Sequence, residues 1–325
     1  MIERVRTALA SRRRPAIPDA GRRDDQGPPI ARPDGAALRF DDAFMRRLER
    51  LALRVRQVAP AVGARTGRRR TPAADFVDHR AYSPGDDLRH IDWPALARHD
   101  AVFVKLGRVA QAAEVRILLD VSPSMAASAR KWRLSLELAA ALGWLGLARG
   151  DRVVVSPWPP GPTAPWGPAA GAARASGLLS YLSALDPHPA TMTALAPAVR
   201  TLVRDASGGA LIVISDLWRV DDLDRALAFA PRTRWDRSLL QILDPRELRP
   251  TADGPVALID SETGERLTLQ LDDELCDAYV SALRVRLDRL AGRCAAAGAG
   301  WALLNADWPL EQAVIPHLRH RGMVE

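Results

Sequence analysis

The sequence predicts an α/β fold: a doubly wound, mostly parallel sheet with helices on both faces. From residue 113 onward, strand-like apolar runs alternate with helix-like segments, the pattern of successive βαβ units. Glu114–Leu119 and Ala210–Ser215 are apolar almost throughout rather than at every second position, as strands buried on both faces are. Each of these runs gives way to an aspartate, Asp120 or Asp216, at the strand end beyond which open parallel sheets bind their ligands.

The elements follow in chain order. Residues 11–37 are rich in Arg, Pro, Gly and Asp and poor in large apolar side chains. They bury too little to offset ordering entropy, so residues 1–37 are read as a disordered basic arm. A smaller region over 38–112 comes next. Phe44, Leu48, Leu51, Val55 and Val58 recur at steps of four and three after Asp41 and Asp42, which predicts a capped amphipathic helix docked on the protein's own body. Turn signals dominate from Arg65 to Leu106, with Ser83-Pro84-Gly85-Asp86 as a turn and Val102–Leu106 as a strand.

The main domain is placed at 113–325. Its predicted strands are Glu114–Leu119, Asp151–Ser156, Ala210–Ser215, Ser238–Leu243 and Trp301–Asn305. Its helices are Lys131–Arg149, 173–185, 194–204 and 272–297, with a Pro/Gly-rich loop over Trp158–Gly171. Pro255–Asp260 and Glu265–Leu271 flank Thr263-Gly264 and read as an inserted hairpin.

Charge and composition narrow the function. The net charge is +7, but residues 1–70 hold 18 Arg against 8 acidic residues, a net of +10, and the remainder carries −3. The excess therefore lies in the first 70 residues, and for the arm a salt-sensitive affinity for nucleic acid or an anionic membrane is the alternative to a solvated tail. No uncharged apolar run reaches the roughly 18 residues of a spanning helix. No signal-peptide core is visible near Met1, and Cys276 and Cys294 fit no metal or redox spacing. A cytoplasmic protein is the expectation. Phosphate-loop, nucleophile-elbow and zincin motifs are absent. His79, His90 and His99 follow no zinc pattern either.

The chemistry concentrates in Asp120-Val121-Ser122-Pro123-Ser124. One carboxylate followed by hydroxyls at every second position sets three hard oxygen donors on one tight loop, which suits Mg²⁺ or Mn²⁺ rather than Zn²⁺. Asp216 ends a second apolar strand in the same way, and Thr191 and Thr193 precede a helix between the two. Asp120 and Ser122 as plain helix caps are the structural alternative. Asp120 as a phosphoryl-accepting nucleophile of a Mg²⁺-dependent phosphohydrolase is the enzymatic one. That chemistry calls for a carboxylate at position 122 and a lysine after a later strand. The sequence has Ser122 there, and its only lysines are Lys105 and Lys131.

Asp-x-Ser-x-Ser after an apolar strand, a later Thr and a further strand-ending Asp resemble the metal-ion-dependent adhesion site of von Willebrand factor type A domains. The upstream block Phe76-Val77-Asp78-His79-Arg80-Ala81-Tyr82-Ser83-Pro84-Gly85-Asp86-Asp87-Leu88-Arg89-His90-Ile91-Asp92-Trp93 resembles the signature of the bacterial family of domain of unknown function fifty-eight. Ile214-Ser215-Asp216, Leu243-Asp244-Pro245-Arg246-Glu247 and Ile259-Asp260-Ser261-Glu262-Thr263-Gly264-Glu265 fit it too, so the resemblance covers roughly residues 45–320.

The resemblance implies a type A domain over 113–325 whose metal ligands are Asp120, Ser122, Ser124, Thr193 and Asp216. It implies a non-catalytic adaptor gripping a partner's Glu or Asp, with a MoxR-type AAA+ ATPase as the partner and no small-molecule substrate. Where the family has Gly-Thr-Asp, this chain has Met192-Thr193-Ala194, which leaves Thr191 as a rival to Thr193. Thr71-Pro72-Ala73-Ala74 replaces the family's glycines ahead of the block. Arg80, Tyr82, Gly85, Asp86, Asp87, Arg89, Asp92 and Trp93 are expected to fasten or dock this subregion, with Trp93 as a buried anchor.

Overall fold

A computed structural model describes residues 40, 43–48, 50, 71–82, 91–93, 95–96, 102–107, 113–187, 194–251, 254–261 and 263–323. The basic arm, Leu51, Val55, Val58, Thr191, Thr193, Gly85, Asp86, Asp87 and Arg89 lie outside the described residues. The described residues fall into two compact units, one within Ala61–Ala113 and one comprising the rest.

The smaller unit is a two-stranded antiparallel sheet of β1 (Thr71–Ala81) and β2 (Phe103–Gly107). Arg80 lies in β1 opposite Val104, and the Tyr82 amide donates to the Val102 carbonyl at 2.8 Å. Asp92 is buried, and its carboxylate accepts the Ala95 amide at 3.1 Å. Trp93, expected as a buried anchor, is instead 61% exposed. The cause is local. In a helical turn capped by Asp92, residues 92 and 95 share the inward face, and residue 93 is rotated out of it.

The larger unit is built on six strands in the order β10-β7-β6-β3-β4-β5. They are β3 (Glu114–Asp120), β4 (Arg152–Trp158), β5 (Trp166–Ala169), β6 (Gly209–Ser215), β7 (Trp235–Leu243) and β10 (Gly300–Asn305). All pair in parallel except β5, which runs antiparallel on β4 at one edge. The fold class is thus the one the sequence predicts. Every residue of β3 is buried, as a central strand covered on both faces requires.

Chain order explains where a ligand would go. The chain passes from β3 outward to β4 and β5, then returns to the other side of β3 to lay down β6, β7 and β10. Crossovers therefore leave opposite faces at β3 and β6, and the crevice between their carboxyl ends is the topological switch point. Asp120 closes β3, and Asp216 follows β6 directly.

The helices fill both faces. A single turn, α1 (Pro123–Ala126), leads into α2 (Ala129–Arg149), which packs with α3 (Ala175–Ser183) on one face. The Ser128 hydroxyl caps α2, and Gly150 ends it in a left-handed conformation that glycine adopts without strain. Helical residues 43–48 join the same core. Phe44 and Leu48 are buried, and the Trp144 indole donates to the Leu48 carbonyl at 3.1 Å. Two such side chains contribute about 1.5–3 kcal/mol each, so the helix docks on the body as predicted. Gly146 makes α2 lie flush, because a Cβ there would stand 2.8 Å from a Val153 methyl.

On the opposite face lie α4 (Leu195–Val203), α5 (Leu223–Phe229) and the long α7 (Asp273–Ala297). Buried Arg237 of β7 donates to the carbonyls of Ala297 and Gly298 and so caps the negative end of α7. The turn α6 (Pro245–Leu248) and the hairpin of β8 (Gly254–Ile259) and β9 (Arg266–Leu271) separate β7 from α7. A last helix, α8 (Ile315–His320), closes the chain against the first face. Among the described residues no helix is long and apolar enough to cross a membrane, and both cysteines are buried free thiols.

Candidate cation site at the switch point

Asp120 is buried, with both carboxylate oxygens engaged. Oδ1 accepts the Ser122 amide at 2.9 Å, and Oδ2 accepts the Ser215 hydroxyl at 2.5 Å. The bond from Ser215 ties the end of β6 to the end of β3, and Ser215 itself accepts the Leu217 amide at 2.9 Å. Ser122 and Ser124 are half-buried, and their hydroxyls meet at 2.9 Å. Ser122 occupies the cap position of α1, yet its side chain makes no cap bond, so its oxygen is turned to Ser124 instead.

Asp216 is buried as well, near enough to Asp120 for its charge to act on that carboxyl. Its Oδ1 accepts the Trp218 amide at 3.3 Å, and its Oδ2 accepts the Lys131 ammonium at 3.0 Å. Lys131, fully enclosed, also donates to Glu247 Oε1 at 2.8 Å. Glu247 is fixed by a reciprocal capping box in which its other oxygen accepts the Asp244 amide at 2.8 Å. The turn after Asp216 is unusual. Leu217 is the one non-glycine with positive φ among the described residues, and its carbonyl and that of Trp218 accept one guanidinium nitrogen of Arg286.

Electrostatics follow from the enclosure. Burial, then the charge of Asp216, pushes the Asp120 carboxyl up to about 7, against the bonds from Ser122 and Ser215. Burial alone would lower Lys131, but the charges of Asp216 and Glu247 hold its ammonium above the usual value. Burial, reinforced by Asp216, leaves Glu247 raised despite Lys131.

The two serine hydroxyls are hydrogen-bonded at a spacing that one small hard cation could also bridge. Adjacent ligands of an octahedral ion at 2.0–2.1 Å stand about 2.9 Å apart, the separation of the two serine oxygens. Among the described residues, no three His, Cys, Asp or Glu side chains gather as a ligand group. Thr193 and Thr191 lie outside the described residues, so the choice between them rests on sequence.

Lys131, Glu247 and Ser215 are participants that sequence reasoning missed. Lys131 follows no late strand, but the crossover at β3 brings the start of α2 to the end of β6. One signal was present. In a chain with 46 basic residues only two are lysines, and one of them is buried here. A point-like ammonium fits between two carboxylates where a planar guanidinium would not.

Residues 78–288 match the family described as Protein of unknown function DUF58. The chain is similar to uncharacterized proteins of Mycobacterium bovis and Mycobacterium tuberculosis, 26% identical to each over 261 residues, which are 77% of this chain and 81% of theirs. Two solved structures also align. One is the conserved hypothetical protein BatB from Bacteroides thetaiotaomicron, with TM-score 0.37 and 14% identity. The other is an aerotolerance-related membrane protein from Bacteroides fragilis, with TM-score 0.38 and 15% identity. Each alignment covers 65% of this chain and 98% of the other.

Proposed function

The chain belongs to the DUF58 protein family, and we propose that it is a non-catalytic adaptor that grips an acidic residue of a partner protein through a Mg²⁺ or Mn²⁺ ion. The observation that supports this reading most directly is the pair of serine hydroxyls 2.9 Å apart on the loop after Asp120, with Asp120 and Asp216 buried at the ends of the two strands that flank the switch point. Ser122 and Ser124 would be direct ligands, joined by Thr193 of the neighbouring loop, with Asp120 and Asp216 in support. When bound, the cation supplies a Lewis-acidic corner for an incoming carboxylate. The chain's own part is to hold neutral oxygens outward and to keep Asp216 partly neutralised by Lys131. Such a site is short of negative charge and favours an anionic partner group. The family resemblance makes a MoxR-type AAA+ ATPase the expected partner, with the cytoplasm as the expected compartment.

The test is titration calorimetry of Mg²⁺ into the wild-type chain and Asp120→Ala, followed by pull-down of the ATPase with and without chelator. Loss of both ion and partner in the variant is expected. Equal binding by the variant rejects the mechanism.

The phosphohydrolase alternative is less well served by this geometry. Its carboxylate position is Ser122, and Lys131 is closed off from solvent between Asp216 and Glu247.

A further inference from the structure

Beside the switch point, and independent of any ion there, a groove of about 470 Å³ runs between α7 and the loop that follows Asp216. Along α7 it is lined by Tyr279, Val285, Arg286, Arg289 and Arg293, and across it by Trp218. Residues 279 to 293 span about 21 Å at 1.5 Å per residue, the length of a peptide segment rather than of a small metabolite.

Its floor is apolar. Tyr279 is buried, Leu283 and Leu290 lie beneath, and Val285 stands 58% exposed at the rim. Val285 is one of three large apolar side chains so exposed among the described residues. A scattered exposed valine means nothing, but one on the edge of an apolar trough does.

The walls are basic. Three arginines face one acidic lining residue, Asp221. Arg286 uses its charge on neutral carbonyls, those of Leu217 and Trp218, and stacks on the Trp218 ring at 5.4 Å. Arg293 reaches the carbonyls of Val220 and Asp221 as well as Asp224. Arg289 is exposed and has no ion-pair partner among the described residues. Burial first, and then the crowding of Arg293 and Arg289, holds the Arg286 guanidinium below its usual value despite Asp221 and Asp216.

We infer that this groove is a docking site for an acidic segment of a partner protein, anchored by apolar side chains against Trp218, Tyr279 and Val285 and by carboxylates against Arg286, Arg289 and Arg293. Charge complementarity selects the acidic residues, and the apolar floor selects a protein segment over a nucleic acid. Because Arg286 holds the turn that starts at Asp216, a segment seated here lies against the same loop as the proposed cation site.

The experiment uses a fluorescein-labelled synthetic peptide with leucines at three- and four-residue helical spacing and glutamates between them, read by anisotropy on the full chain. Val285→Glu and Arg289→Glu, both at exposed positions, are each expected to weaken binding about tenfold or more. Arg204→Glu, an exposed change elsewhere, should leave it unchanged. Asp120→Ala should leave it unchanged too, so a failure of the cation reading and a failure of the groove are told apart. Three results would overturn the inference: equal affinity in the two groove variants, equal binding of a peptide with serine for every leucine, or tighter binding of an oligonucleotide of the same charge.

Discussion

Lys131 donates to Asp216 at 3.0 Å from a position with no exposure to solvent, so one end of the α2 helix serves as the counter-ion for the end of β6. Enclosed pairs of this kind contribute little net stability when intact, but removing one partner strands the other charge. Lys131→Met would strand both Asp216 and Glu247. A loss of about 3–5 kcal/mol is expected in urea unfolding. A loss under about 1 kcal/mol would show that the two carboxylates take up protons or water at little cost.

Asp120 sets a pH dependence whose sign is unambiguous. Burial and the Asp216 charge push its carboxyl up to about 7 in the folded chain, against an ordinary value of 3.8, so between those values the native state holds the extra proton. Its contribution to stability therefore falls as pH rises from about 4 to about 7, and levels off above that. Asp120→Asn should flatten this part of the stability profile. Denaturation curves at several pH values in chelator check it. A parallel decline in the variant would assign the effect to another group.

The same proton competes with a cation. Affinity for Mg²⁺ should rise with pH, on the order of tenfold per unit below 7, and reach a plateau above it. Calorimetry between pH 5.5 and 8.5 reads this directly, and a flat profile would remove Asp120 from the binding reaction.

Ser124→Ala separates function from fold. The hydroxyl is half-buried and pairs with Ser122, so its removal should cost only about 1 kcal/mol of stability. Cation affinity should fall by about tenfold or more with the loss of a direct ligand. Unchanged affinity would place the ion elsewhere.

Leu48→Ala probes the docked N-terminal helix. Leu48 is buried in the core that also holds Trp144, and the truncation should cost about 2–5 kcal/mol. A negligible change in thermal unfolding would mean that the helix contributes nothing to this core.

Much of this was readable in the sequence wherever a single physical cause dominated. Glu114–Asp120 is buried throughout and Gly209–Ser215 over most of its length, so their apolar runs gave their positions to within a residue. Asp120, Ser122, Ser124 and Asp216 were visible because they stand directly after such runs. The antiparallel strand Trp166–Ala169 was hidden in a Pro/Gly-rich loop, since an edge strand of four residues needs little apolar sequence. The Leu223–Phe229 helix, only seven residues long, is too short to show a clear period. Lys131 and Glu247 are 116 residues apart and meet only because of the strand order, which no local pattern encodes. Trp93 misled because a large aromatic suggests an anchor, whereas its angular position in the turn after Asp92 turned it outward.

The missing side chain at residue 146 reaches further than its own neighbourhood. Fifteen residues separate it from Lys131 along one rigid helix, a lever about 22 Å long. Even a methyl at 146 would press on Val153 and tilt that lever. The helix that meets Val153 so closely is the one that carries Lys131, so the counter-ion of Asp216 and this glycine share a single support.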